Sequence, residues 1–297
     1  MRLDDYRESS NVEQDSGRSS GLGGFGGGGG GIGLLFALVG SRFGIGGIII
    51  LVLGMFLFGL NPFGGGGSQM VGQSPQVASQ SAAQTCANNG AAGHFSCRVL
   101  ASTEDTWSRL FQQGGQTYTP PKLHFYSQRG NSGCGEAMSA MGPFYCPSDQ
   151  RVYLDTEFFD ELQTRFRAAG DFAQAYVIAH EYGHHIQNLL GTTAAHADHG
   201  TGAGSDSVRI ELQADCYAGV WAYHANAQFS ILQQGDVEAG LRAASSVGDD
   251  TLEKQAQGYV VPDSFTHGTS AQRVRWFERG LQHGDMNACD TFSSAEL

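Results

Sequence analysis

Basic side chains are scarce in this chain: 17 Lys and Arg stand against 29 Asp and Glu in 297 residues, a formal net charge of −12. Such a balance repels phosphate backbones and leaves no electrostatic footprint for nucleic acid, which excludes that class of partner. No Cys-x-x-Cys pair occurs, so a zinc site built from cysteines is excluded, and no internal repeat is visible. Nor is there any Lys or Arg between Arg42 and Arg98. What is present suffices for a globular core: 40% of residues are apolar, with three Trp, ten Tyr and eighteen Phe.

The 44 glycines describe two kinds of chain, because many sit in "GLGGFGGGGGGIG" and "NPFGGGG" near the N-terminus. Residues 1–30 are polar and then Gly-rich without apolar periodicity, and are expected to be a disordered tail. Residues 31–60 form an expected membrane-anchor region. Its core, "FGIGGIIILVLGMFLFGL" from Phe43 to Leu60, carries no charge over 18 residues, which at about 1.5 Å per residue nearly spans a hydrocarbon layer. A cleaved signal peptide is the alternative, but the run is long, starts late and has no A-x-A site directly after it. "GIGLLFALVG" before Arg42 either extends the anchor or lies at the interface. Arg18 and Arg42 before the span, with no basic residue after it until Arg98, favour a single-pass chain whose C-terminal part lies outside the cytoplasm. The six cysteines, all beyond the span, agree with an oxidising compartment. Cys134 with Cys146 would close a short loop; pairing Cys216 with Cys289, and Cys86 with Cys97, is one of fifteen connectivities open to six cysteines.

Residues 61–85 are Gly, Ser, Gln and Ala with few large apolar groups, the composition of a flexible linker. The folded domain is expected over 86–297. Apolar spacing predicts a helix in 103–113, short strands at 122–127 and 151–155, and a helix over 156–170 ending at Gly170. A further helix follows, capped by Asp171 and stopped by Gly191, then others at about 207–228, 235–246, 249–257 and 269–281. One α+β domain, mostly helical, follows from this pattern.

The run "AYVIAHEYGHHIQNLLG", residues 175–191, sets polar groups in an apolar helix. His180 and His184, four apart, share a helical face and can both reach one metal ion; Glu181, one step round, falls beside it, where a carboxylate can take a proton from water. A catalytic zinc also needs a third protein ligand. Glu211 is the best candidate, since Glu211 and Asp215 share one face of the later helix among apolar neighbours with no base four positions on. Asp215 would then accept a hydrogen bond from His180 or His184. His267 in "FTHGTSAQR" is the first candidate donor to a developing oxyanion and Tyr153 the second. His185 projects about 100° from His184 and reads as a hydrogen-bonded core or rim histidine. His196 and His199 read as loop residues, in a loop at 192–206 that could instead cover the cleft. Arg273, Arg275 and Arg279 read as exposed ion pairs, and the Asp pair in "GDD" at 248–250 as a helix cap.

"HEYGH" followed by "ELQAD" resembles the gluzincin pattern His-Glu-x-x-His with Glu-x-x-x-Asp on a later helix. More closely, "GPFYCPSDQRVYLD", "GDFAQAYVIAHEYGHHIQNLLG", "SVRIELQADCYAGVWA" and "FTHGTSAQRVRWF" resemble blocks of a bacterial family of membrane-anchored neutral zinc metallopeptidases, over most of residues 98–291. The family's opening is matched by "RESSNVEQD", with Gln14 in place of Asp. The resemblance implies a zincin-like metallopeptidase domain after a single N-terminal transmembrane helix, with Zn2+ bound by His180, His184 and Glu211. It implies Glu181 as general base and then acid, Asp215 orienting a ligand, and a peptide or protein substrate, with endopeptidase favoured over exopeptidase. The expected location is a bacterial cytoplasmic membrane with the domain on the extracytoplasmic side. The alternative function is a catalytically silent zinc-containing binding or chaperone-like module.

Overall fold

Alternating runs too short to bury a whole sheet make short strands packed under helices. A computed structural model of the chain describes residues 1–14, 81–197 and 200–297. The expected anchor at 31–60, residues 15–30, nearly all of the 61–85 linker and His199 lie outside these. No helix among the described residues is long and apolar enough to cross a membrane. The four-stranded sheet runs β1 (Val12–Gln14), β2 (Lys122–Phe125), β6 (Arg151–Leu154) and β5 (Phe144–Cys146). The first three strands are parallel and β5 is antiparallel at the edge. Leu123, Phe125, Val152 and Leu154 turn into the main core, as a period of two requires. Tyr153 turns to the other face, where it joins Cys146, Tyr126 and Ala137 beside the hairpin β3 (Arg129–Ser132) and β4 (Gly135–Met138).

Residues 1–14 are not the start of a disordered tail. Leu3 and Val12 are buried, Met1 and Tyr6 pack part-buried against the core, and much of the remaining hold is polar. Arg7 pairs with Glu104 and Asp105, Ser9 Oγ donates to Glu104 at 2.5 Å, and Glu13 pairs with Lys122 and with Arg151 at 2.9 Å. The Met1 ammonium meets Asp236 at 3.1 Å. The folded part resumes at α1 (Ala82–Asn88), capped by Ser81, earlier than Cys86, and continues in α2 (Gly90–Gln113).

The helix expected over 156–170 is shorter, α3 (Phe158–Thr164), because the chain turns left-handed at Arg167 and lets Phe166 and Ala168 bury. Next come α4 (Asp171–Leu189), the short α5 (Thr192–Ala195), α6 (Asp206–Phe229), α7 (Asp236–Ser246), α8 (Asp249–Gln257) and α9 (Ser270–His283). Gly170, not Asp171, caps α4; Asp171 lies in its first turn, where a carboxylate suits the positive helix end. Gly191 follows its last residues in the left-handed conformation that favours glycine. Two close approaches fix the core. A Cβ on Gly183 of α4 would lie 2.9 Å from the Ala214 carbonyl oxygen of α6, and one on Gly280 of α9 would lie 1.9 Å from the carbonyl oxygen of Cys216. Only bare backbone lets these helices touch so closely. Three disulfides, Cys86–Cys97, Cys134–Cys146 and Cys216–Cys289, tie α1 to α2, the hairpin to β5, and α6 to the C-terminal segment.

Candidate metal centre

The contact at Gly183 faces Ala214, which lies between Glu211 and Asp215 in α6, so it brings the carboxylates of α6 against the histidines of α4. His180 Nε2 lies 3.2 Å from Glu211 Oε2 and His184 Nε2 lies 3.5 Å from Glu211 Oε1. All three ligand atoms fall within 4.8 Å of one another. Ligands about 2.1 Å from one tetrahedral ion are about 3.4 Å apart, so this donor set fits zinc. The far side of each ring supports the same conclusion. His180 Nδ1–H donates to Asp215 Oδ1 at 2.9 Å, and His184 Nδ1–H donates to Gln187 Oε1 at 2.9 Å. Each Nε2 is thereby the nitrogen left for a metal. Gln187 is itself fixed, its amide donating to the Ile210 carbonyl at 2.7 Å and to Gln213 at 3.1 Å.

Burial raises the Glu211 carboxyl, but the imidazoles of His184, His180 and His267 outweigh it and hold it well below the usual range, in the ligating form. Glu181 is buried beside the ligands. Burial, with the Glu211 charge adding, pushes its carboxyl up to about 7, against the pull of His180 and a hydrogen bond from the Tyr145 main-chain N–H of β5. A carboxylate poised near neutrality is suited to accepting and returning a proton.

His267 lines the same cavity. Asp249 pins its turn: Oδ2 accepts from the main-chain N–H groups of Thr266, His267 and Gly268 at 2.7, 2.7 and 3.0 Å, and Oδ1 meets His267 Nδ1 at 3.2 Å. Burial would strip the proton from His267, but the bonded Asp249 carboxylate outweighs it and raises the pKa. Asp249 is therefore not the cap expected of it: Gly248 caps α8, and Asp249 lies in the first turn with its carboxylate turned to the 266–268 backbone. Tyr153, the second candidate donor, is not part of the cavity lining; its hydroxyl donates to Asp149 at 2.7 Å and its ring stacks on Phe144.

Arg273 is not exposed either. It is 3% accessible and grips Asp215 through two hydrogen bonds, Nε to Oδ2 at 2.7 Å and Nη2 to Oδ1 at 2.9 Å. Tyr176 adds a third bond to Asp215 at 2.5 Å. Arg275 does form an exposed pair, with Glu296 at 2.9 Å, while Arg279 lies over the Trp276 ring. The signal for Arg273 was available: it shares an i, i+3, i+4, i+7 stripe with Trp276, Phe277 and Gly280. His185 is a core histidine, its Nε2–H donating to the Thr119 carbonyl at 2.7 Å and its Nδ1 accepting from Tyr145 at 3.0 Å. His196 pairs with Asp206 at 2.9 Å and stacks on Phe292.

Residues 1–292 match the family described as "putative neutral zinc metallopeptidase". The chain belongs to this family. Its members include an Escherichia coli (strain K12) protein, named uncharacterized protein YpfJ, 45% identical over 99% of this chain and all of that one. Another is uncharacterized protein Rv2575 of Mycobacterium tuberculosis (strain H37Rv), 42% identical over 81% of this chain and 86% of its own length. No solved structure matches the chain. The family name and the His180–His184–Glu211 group agree on zinc.

Proposed function

We propose that the chain is a zinc-dependent peptidase that hydrolyses peptide bonds within peptide or protein substrates. One observation carries the reading: three ligand atoms, with no fourth His, Cys, Asp or Glu grouped with them among the described residues, converge beside a buried carboxylate on the wall of an open cavity. Bound there, zinc supplies Lewis acidity, lowering the pKa of water from about 16 to about 7 and polarising a carbonyl. Glu181 accepts the proton of the attacking water and hands it to the leaving amine. His267, oriented by the Asp249 carboxylate, donates to the carbonyl oxygen as negative charge builds there. Asp215, clamped by Arg273 and Tyr176, keeps the His180 ring aimed. A silent zinc module would be expected to close its site with a fourth protein ligand and has no use for Glu181.

Full-length protein that contains zinc is expected to cleave casein-derived peptides, to lose cleavage on treatment with phenanthroline, and to regain it with added Zn2+. Stripping is also expected to lower the melting midpoint, since a ligand at 100 times its Kd stabilises by about 2.7 kcal/mol. Cleavage that persists in metal-free protein would sink the reading.

We further propose attachment to a bacterial cytoplasmic membrane with residues 1–14 and 81–297 together on the extracytoplasmic side. The three disulfides support that side. The ladder between β1 and β2 supports a shared compartment, because a single crossing between them would separate paired strands. Asp4→Cys and Tyr259→Cys change two exposed positions in a chain whose native cysteines are all in disulfides. Both variants are expected to react with a membrane-impermeant maleimide on intact spheroplasts. Labelling at 259 alone would restore the single crossing.

A further inference from the structure

Residues 141–145 line the cavity, and the Tyr145 main-chain N–H within them meets Glu181. All five lie inside a ring closed by a disulfide. Cys134 stands in the turn between β3 and β4; the chain runs back along β4, turns at 139–141 and returns in β5 to Cys146, which is bonded to Cys134. Few other contacts hold β5. It pairs with β6 over three residues, and its other edge pairs with no strand among the described residues. The Tyr145 hydroxyl adds hydrogen bonds with His185 at 3.0 Å and Asn188 at 3.1 Å. The hairpin that carries Cys134 is a separate two-stranded sheet, docked near its tip by the Gly133 N–H donating to Asp149 at 2.7 Å. The three disulfides also differ in access. Cys86, Cys97, Cys146, Cys216 and Cys289 are fully buried, whereas Cys134 is partly open. A disulfide exchanges only as fast as a thiolate can reach one of its sulfurs, so Cys134–Cys146 is the bond open to attack.

We propose that Cys134–Cys146 is a thiol–disulfide exchange site for dithiols, small or thioredoxin-like, and that opening it releases β5 from Glu181 and slows catalysis. A thiolate of the dithiol attacks Cys134 Sγ, and Cys146 Sγ leaves with the electron pair of the broken bond and takes up a proton. The second thiolate of the dithiol then displaces Cys134 Sγ, which is protonated in turn. Two electrons and two protons reach the protein, and the dithiol ends as its own disulfide. With the ring open, the 134–146 segment gains conformational freedom, and the N–H of Tyr145 is no longer fixed against Glu181. Since a misplacement of about 1 Å can cost about 100-fold, a fall in kcat/KM of about 10-fold or more is expected. The slowing rests on the peptidase reading above; the exchange does not.

The test treats full-length zinc-bound protein with dithiothreitol in the absence of denaturant, removes the reagent, and checks zinc content and melting midpoint. Alkylation with peptide mass mapping is expected to find thiols at Cys134 and Cys146 at least about 10-fold sooner than at the other four cysteines, because exchange follows access. Amide hydrogen exchange across β5 should then quicken by about 10-fold or more, with α4 and α6 unchanged. Hydrolysis of a peptide should slow as stated and recover with oxidised glutathione. The double variant Cys134→Ser, Cys146→Ser should match the reduced protein and ignore the dithiol; should it fail to fold, the measurements on the reduced wild type decide. Thiols that appear first at another pair, or only on unfolding, overturn the exchange site. Unchanged amide exchange and kcat/KM in the reduced protein overturn the release of β5. Selective reduction with quickened exchange, but no hydrolysis by either form, would remove the peptidase reading and leave this site standing; hydrolysis indifferent to reduction would do the reverse.

Discussion

Glu181→Gln is expected to lower kcat/KM for peptide hydrolysis by about 10³-fold while zinc stoichiometry stays at the wild-type value, the loss typical of a removed general base. Glutamine has the shape of glutamate, and its carbonyl oxygen can keep the hydrogen bond from the Tyr145 main-chain N–H. What it cannot do is accept the proton of water. Stability should not fall, because burial already opposes ionisation of Glu181, lifting its carboxyl to about 7, and the neutral amide carries no such penalty. Metal analysis, thermal melting and steady-state kinetics on one peptide separate the effects. A zinc-loaded variant that cleaves at the wild-type rate removes Glu181 from the chemistry.

What was legible of this centre was whatever has local geometry. Two histidines four apart on a helix share a face whatever the tertiary structure, and Glu211 and Asp215 share another for the same reason. That the two faces meet depends on Gly183 fitting against Ala214, a contact across 31 positions that no periodicity announces. The sheet was legible at β2 and β6, where alternation is clear, but not at β1, whose three residues gain their place from Glu13 pairing with Lys122 and Arg151. Residues 1–14 look like a disordered tail in the sequence for that reason: they bury little apolar surface and are held by ion pairs and hydrogen bonds to distant partners, such as Arg7 to Glu104 and Glu13 to Arg151, 97 and 138 positions away. Asp249 reads only as a cap because a carboxylate at a helix start looks the same in the sequence whether it caps that helix or, as here, grips a turn 17–19 positions away.

Arg273→Met should be the most destabilising single change near the centre. Asp215 is fully buried and Arg273 grips it through two hydrogen bonds, so truncating the guanidinium strands a carboxylate away from water. Breaking a buried pair from one side costs about 3–5 kcal/mol. At about 2–4 °C per kcal/mol for a domain of this size, the melting midpoint should drop by roughly 10 °C. Zinc affinity should fall as well, since Asp215 then lacks the bonds that hold it against His180 Nδ1, and loss of such support typically costs about 10–100-fold. Asp215→Asn distinguishes a stranded charge from lost packing. In the Arg273→Met background it removes the charge and should recover about 1–3 kcal/mol, although alone it destabilises, a coupling of the size expected for residues in contact. Four melting curves complete the cycle. Additive losses would mean that the two side chains act independently, and the clamp on His180 would then have to be sought in Tyr176, whose hydroxyl also donates to Asp215.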